Sequence, residues 1–137
     1  MKKAIIIYQS KKGTTRKMGE AISSILDAKG IATEVEDLTN CEKRDLTSYD
    51  YVFLGCWTKG LMVIAQHPDT VWKKIVRTLR IEETSKLVLF TTYKIATGTM
   101  FRQMMKSLPQ VHPVVCGQIK SKTGALDHPS AGVLDNF

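Results

Sequence analysis

The sequence predicts an α/β protein built on a parallel sheet with helices over both faces. Two observations carry this. Two runs, 3–8 and 51–55, are apolar almost throughout, as in strands buried on both faces. Between and beyond them lie stretches whose apolar residues recur at helical spacing. Strands alternating with amphipathic helices are joined by crossover connections and therefore pair in parallel. At 137 residues the chain is sized for one domain, and 1–137 is read as one.

The elements follow in order. The first strand is 3–8. A helix over 14–29 places Met18, Ala21, Ile22, Ile25 and Leu26 on one face, and Gly30 stops it. Residues 32–37 alternate as an edge strand does. The polar stretch 39–49 has room for one short helix. The third strand is 51–55, and 60–68 reads as a loop despite its apolar residues. A helix over 70–79 gathers Val71, Trp72, Ile75, Val76 and Leu79 on one side. The fourth strand is 86–92, a helix over 99–108 stops at Pro109, and the fifth strand is 113–119. The tail, 121–137, holds Gly124, Pro129 and Gly132 in a weakly periodic stretch, so no full helix is expected there.

Composition bounds the function. The apolar share, 43%, is ordinary for a globular chain, and no apolar run reaches membrane-spanning length. The N-terminal apolar run is too short for a signal peptide and is followed by Lys11 and Lys12. Cys41, Cys56 and Cys116 are odd in number with no C-x-x-C, which argues for a reducing, cytoplasmic setting and against a disulfide framework or a zinc site. His67, His112 and His128 each precede a proline and read as loop punctuation rather than metal ligands. The net charge is +7, spread along the chain without a long block or an interleaved basic–aromatic motif. Nucleic acid is therefore not expected; solvated lysines or an acidic partner account for the charge.

The chemistry begins at the first turn. The first strand runs into Gln9-Ser-Lys-Lys-Gly-Thr-Thr-Arg16, and a helix starts at once. N–H groups at a helix start have no intrahelical acceptor and carry partial positive charge, so a phosphate can satisfy them. Ser10, Thr14 and Thr15 add hydroxyls, and Gly13 permits a sharp turn. Alone, this segment fits a plain helix cap as well. Neither G-x-x-x-x-G-K-[ST] nor G-x-G-x-x-G is present. What remains is apolar-apolar-aromatic, x, Ser10, two residues, Gly13, x, Thr15, with Ile22 eight positions after Thr14. This resembles the flavodoxin family, which holds the phosphate of FMN in such a loop. One departure is Gly19, where the family usually has Ala; glycine there weakens a helix by up to about 1 kcal/mol.

The resemblance covers 3–119. It implies a three-layer flavodoxin-like sandwich with strand order 2-1-3-4-5 and ligand bound beyond the C-terminal strand ends. It implies FMN, with Ser10, Lys11, Lys12, Gly13, Thr14 and Thr15 at the phosphate. The ring would lie at the ends of strands three and four, among Cys56, Trp57, Thr58, Lys59 and Gly60 and among Thr92, Tyr93, Lys94, Thr97 and Gly98. Trp57 and Tyr93 resemble the loop aromatics that flank the flavin, where stacking and exclusion of water favour a flat heterocycle. Gly60 would turn a backbone group to flavin N5, and Thr58, Thr92 and Thr97 would bond the ring edge or ribityl chain. Taken singly, Trp57 also reads as a core anchor, Tyr93 as a surface residue, and Cys56 as a small packing residue or a redox sensor.

Two departures from the family carry expectations of their own. Its members usually end in a helix beside the first one. Here either the tail covers that apolar surface through Leu126, Val133, Leu134 and Phe137, or a second subunit does, and a homodimer is expected. Flavodoxins are commonly acidic around the flavin, whereas Lys11, Lys12, Arg16, Lys59 and Lys94 make this rim basic. Each lysine about 8 Å from the ring would favour anionic reduced flavin by about 1 kcal/mol, on the order of 45 mV, at an effective dielectric of about 40. A partner's docking face would be acidic. The function implied is an electron carrier between redox enzymes. The alternatives are a small FMN-dependent NAD(P)H or quinone reductase, in which the apolar stretch 61–65 walls a second ligand or makes a dimer contact, and a binding module of the same fold without FMN.

Overall fold

The computed structural model describes residues 2–61, 64–93, 97–110, 112–126 and 132–137, with the side chains at 59–61, 64–67 and 136 outside that description. The strands β1 (Lys3–Gln9), β2 (Ala32–Asp37), β3 (Tyr51–Trp57), β6 (Lys86–Thr92) and β7 (Val115–Ser121) form one parallel sheet in the order β2-β1-β3-β6-β7. Counted within the sheet, this is 2-1-3-4-5. The helices are α1 (Thr14–Ala28), α2 (Thr70–Val76) and α3 (Met100–Lys106).

Period-two alternation splits the apolar strands between two cores. Ile5, Ile7, Val52, Leu54, Leu87 and Leu89 face Trp72 and Val76 of α2 and Met100 and Met104 of α3. Ile6, Tyr8, Phe53, Val88 and Phe90 face Met18, Ile22 and Leu26 of α1. Gly19 belongs to this second contact. A Cβ there would stand 3.3 Å from Ile6 Cγ2, so glycine lets α1 lie close against β1.

Several boundaries differ from expectation, each for a physical reason. β3 runs on through Cys56 to Trp57 instead of stopping at Gly55. Gly55 is no terminator: a Cβ there would lie 2.1 Å from two ring carbons of Phe90, so glycine makes room for that ring. Residues 59–67, expected as loop, contain an antiparallel hairpin of β4 (Lys59–Leu61) and β5 (Ile64–His67), paired Lys59 with His67 and Leu61 with Ile64. Its β-branched and apolar content favours extended backbone. The stretch 39–49 supplies only one 3₁₀ turn, at Leu38–Asn40, capped by the Asp37 carboxylate. α2 and α3 each end short because their last turns tighten to i→i+3 bonds, from Leu79 N–H to the Val76 carbonyl and from Leu108 N–H to the Met105 carbonyl. β7 begins at Val115 rather than Pro113, which has no N–H to give the ladder, and extends to Ser121 opposite Thr92.

The tail takes the place beside α1. Its described residues include a 3₁₀ turn, Val133–Asn136; Leu134 is fully buried, and Leu126, Val133 and Phe137 pack on the same core. The Phe137 ring stacks on Tyr51 with centroids 4.9 Å apart. The apolar surface on which the homodimer expectation rested is thus covered by the chain itself. Among the described residues, no helix is long and apolar enough to cross a membrane.

Candidate functional site

Parallel strands deliver all their C-terminal ends to one edge, and the first turn, Trp57, Tyr93 and 121–124 meet there. The ends are tied in sequence. Thr58 N–H donates to the Thr92 carbonyl at 2.8 Å, and Tyr93 N–H donates to the Ser121 carbonyl at 3.1 Å.

The first turn has the geometry an anion requires. Gly13 sits at φ 91°, a left-handed conformation that glycine adopts freely, and its N–H donates to Ser10 Oγ at 2.8 Å. That bond uses a lone pair of Ser10 and leaves its O–H to donate elsewhere. The regular ladder of α1 begins when Lys17 N–H donates to the Gly13 carbonyl at 2.9 Å. Among the described residues, the N–H groups of Thr14, Thr15 and Arg16 have no acceptor. No side chain caps this helix, and its first turn has no acidic residue to compete for those donors. The plain-cap reading of Ser10–Thr15 therefore lacks its bond into the helix.

The expected hydroxyls divide. Ser10 and Thr14 are partly exposed on the turn. Thr15 and Thr92 are buried, and their hydroxyls meet each other at 2.7 Å, 77 residues apart in sequence. They tie α1 to the end of β6 rather than facing the open side, and Thr15 offers the turn its backbone N–H only. Thr58 Oγ1 lies 3.0 Å from Thr91 Oγ1, which donates to the Cys56 carbonyl at 2.6 Å. Hydroxyls thus brace the ends of β3 and β6 and the start of α1.

Trp57 and Tyr93 are both half-buried at neighbouring strand ends, Trp57 as the last residue of β3 rather than in a loop. Lys11 Nζ stands 5.0 Å from the Trp57 ring centroid. Lys120 and Lys122 each place Nζ 5.8 Å from the Tyr93 centroid. Lys12 is exposed in the same turn. Thr97 and the exposed Gly98 lie just before α3. The backbone of Lys59 and Gly60 lies in β4, the Lys59 side chain is outside the described residues, and so is Lys94.

Cys56 points away from this edge into the core beneath α2. Its S–H donates to Gln9 Oε1 at 3.4 Å, and Gln9 Nε2 donates to Asp69 at 3.1 Å. Burial pushes its thiol pKa up to about 12, so the unreactive protonated form dominates and the side chain packs rather than senses.

Lys120, Lys122 and the turn after β7 were not anticipated. The signal was present as Lys-Ser-Lys-Thr-Gly after an apolar Ile119, a fourth strand end with its own glycine. Ser121 Oγ donates to the Ala125 carbonyl at 2.6 Å and accepts from Gly124 N–H at 3.0 Å, which folds this turn back onto α1.

The flavodoxin domain model matches residues 5–110, most of the chain and all of the first turn. Among solved structures, oxidised flavodoxin 1 from Bacillus cereus is 20% identical with a TM-score of 0.72, covering 98% of this chain and 93% of that one. The two-electron reduced flavodoxin of Megasphaera elsdenii is 20% identical with a TM-score of 0.74, covering 96% and 94%. At such identity these structures speak for the fold, whereas the family model reads the sequence itself. With the strand order, the acceptor-free helix start and the match over 5–110 in agreement, the chain belongs to the flavodoxin family.

Proposed function

We propose that this protein binds FMN and carries electrons between redox proteins. The observation that carries the reading is the helix start. Three acceptor-free N–H groups, at Thr14, Thr15 and Arg16, stand at the same sheet edge as two half-buried aromatics. The N–H groups, with the Ser10 and Thr14 hydroxyls, fit a phosphate, and Lys11 and Lys12 favour its charge. Trp57 and Tyr93 fit the faces of a flat ring, and Gly60 and Thr97 offer polar groups beside it. Bound FMN supplies the redox chemistry, accepting and releasing electrons singly or in pairs. The residues named here bind it, orient it and exclude water. The free thiols fit a reducing compartment, and the cytoplasm is the proposed location.

The test is optical. The protein as purified, or after addition of FMN, should show the visible flavin bands and quench FMN fluorescence with a micromolar or lower Kd. Failure to take up FMN would overturn the proposal. NAD(P)H should not be consumed by the FMN-loaded protein alone; its oxidation would make the protein a reductase instead of a carrier.

A further inference from the structure

The lysines of the sheet edge form one surface. Lys11, Lys12, Lys17 and Lys122 are all exposed. They come from two segments far apart in sequence, and the turn after β7 brings them together. A Cβ on Gly124 would lie 2.8 Å from the Thr14 carbonyl oxygen and 3.2 Å from Lys17 Cβ, so this turn sits directly against the first turn of α1. Gly124 has φ 88°, a conformation that costs glycine little and permits that approach. The rim therefore runs from Lys11 beside Trp57, across Lys17, to Lys122 beside Tyr93.

Among the described residues, neighbouring acids do not neutralise it. Among the described residues the ion pairs are Arg16–Glu20, Arg44–Glu34 and Arg44–Glu36, and none includes Lys11, Lys12, Lys17 or Lys122. Glu20 offsets Arg16. Asp37 caps the 3₁₀ turn after β2, and Asp69 caps α2 and holds Gln9. The remaining charge surrounds the two aromatics instead of following one element. That placement suits a partner presented end-on to the edge more than a nucleic-acid backbone lying along a helix or strand.

We propose that this rim is the docking face for a redox protein whose own contact surface is acidic. The role rests on the FMN reading above. Complementary charge at the edge where electrons leave would raise the encounter rate and orient the partner, and salt would screen it.

The experiment begins with FMN-loaded protein, loading being read by absorbance, reduced anaerobically. It is mixed by stopped flow with cytochrome b5, an acidic haem protein, or cytochrome c, a basic one, at low and high NaCl. The second-order rate with cytochrome b5 should fall by on the order of tenfold as salt rises, and the rate with cytochrome c should rise. Lys17→Glu with Lys122→Glu leaves the four-lysine rim without net charge and should flatten both dependences. The milder Lys17→Gln with Lys122→Gln leaves two of the four rim charges and should weaken both dependences without abolishing them. Salt-independent rates in loaded protein, or an unchanged dependence in both variants, would overturn the docking role while leaving FMN binding intact. Salt-independent rates together with binding of a DNA duplex that the glutamate variant loses would assign the rim to nucleic acid instead. A protein that takes up no FMN would defeat the earlier reading, and this one with it.

Discussion

The hydroxyl pair Thr15–Thr92 offers the sharpest test of how this edge is built. The oxygens are 2.7 Å apart, both residues are buried, and among the described residues each hydroxyl is the other's partner. Valine matches threonine in shape and lacks the hydroxyl. Thr15→Val or Thr92→Val alone leaves one buried hydroxyl without its partner, at a cost of about 1–3 kcal/mol. The double substitution removes both polar groups together and should cost less than the sum, with a coupling of about 1–2 kcal/mol. Urea unfolding of the four proteins measures it. At an m-value of about 1–3 kcal/mol/M, each single variant should shift the midpoint by roughly 1 M. Thr15 also supplies one of the acceptor-free N–H groups, so FMN fluorescence quenching across the same cycle reads the effect on the turn. Each single variant should bind FMN less tightly than wild type. Strictly additive stabilities would refute the argument, because the two hydroxyls would then not be each other's partner.

Other perturbations test the remaining supports. Leu134→Ala empties a fully buried site beside α1 and should cost about 2–5 kcal/mol in chemical unfolding, whereas a tail lying loosely on the sheet would lose almost nothing. Of the three cysteines, only Cys116 is exposed, so a thiol reagent should label one group rapidly in the native protein and all three in urea. Burial raises the Cys56 pKa from 9.0 to about 12, so the folded protein keeps a proton that the unfolded chain releases. The stability tied to that proton is full below about pH 9 and is lost as pH climbs towards about 12. The urea midpoint should therefore drop between pH 8 and pH 10 by more in wild type than in Cys56→Ala, and equal drops would reject this.

What was legible in the sequence divides by the distance over which its cause acts. The first turn was legible because strand, turn and helix start are contiguous. A buried strand, a serine, a glycine and an amphipathic helix each leave a local pattern. The placement of Trp57 and Tyr93 was legible only through the family resemblance, because nothing near either residue says that β3 and β6 are neighbours. Side-chain direction was not legible. Thr14 and Thr15 are adjacent, yet Thr14 stays partly exposed while Thr15 reaches a residue 77 positions away. Gly55 shows the same limit from the other side. Glycine commonly ends a strand, and here it continues one, because the space its side chain would fill belongs to Phe90.

The basic rim follows this logic to its functional end. Lys11 and Lys12 announced themselves in the first turn, but a charge near one loop does not make a surface. The surface exists because β7 lies next to β6 and its following turn folds back on α1 through Gly124. On the docking role proposed above, the turn after the last strand contributes to partner choice. That turn lies outside the 5–110 segment that defines the family match and packs against the first turn of α1.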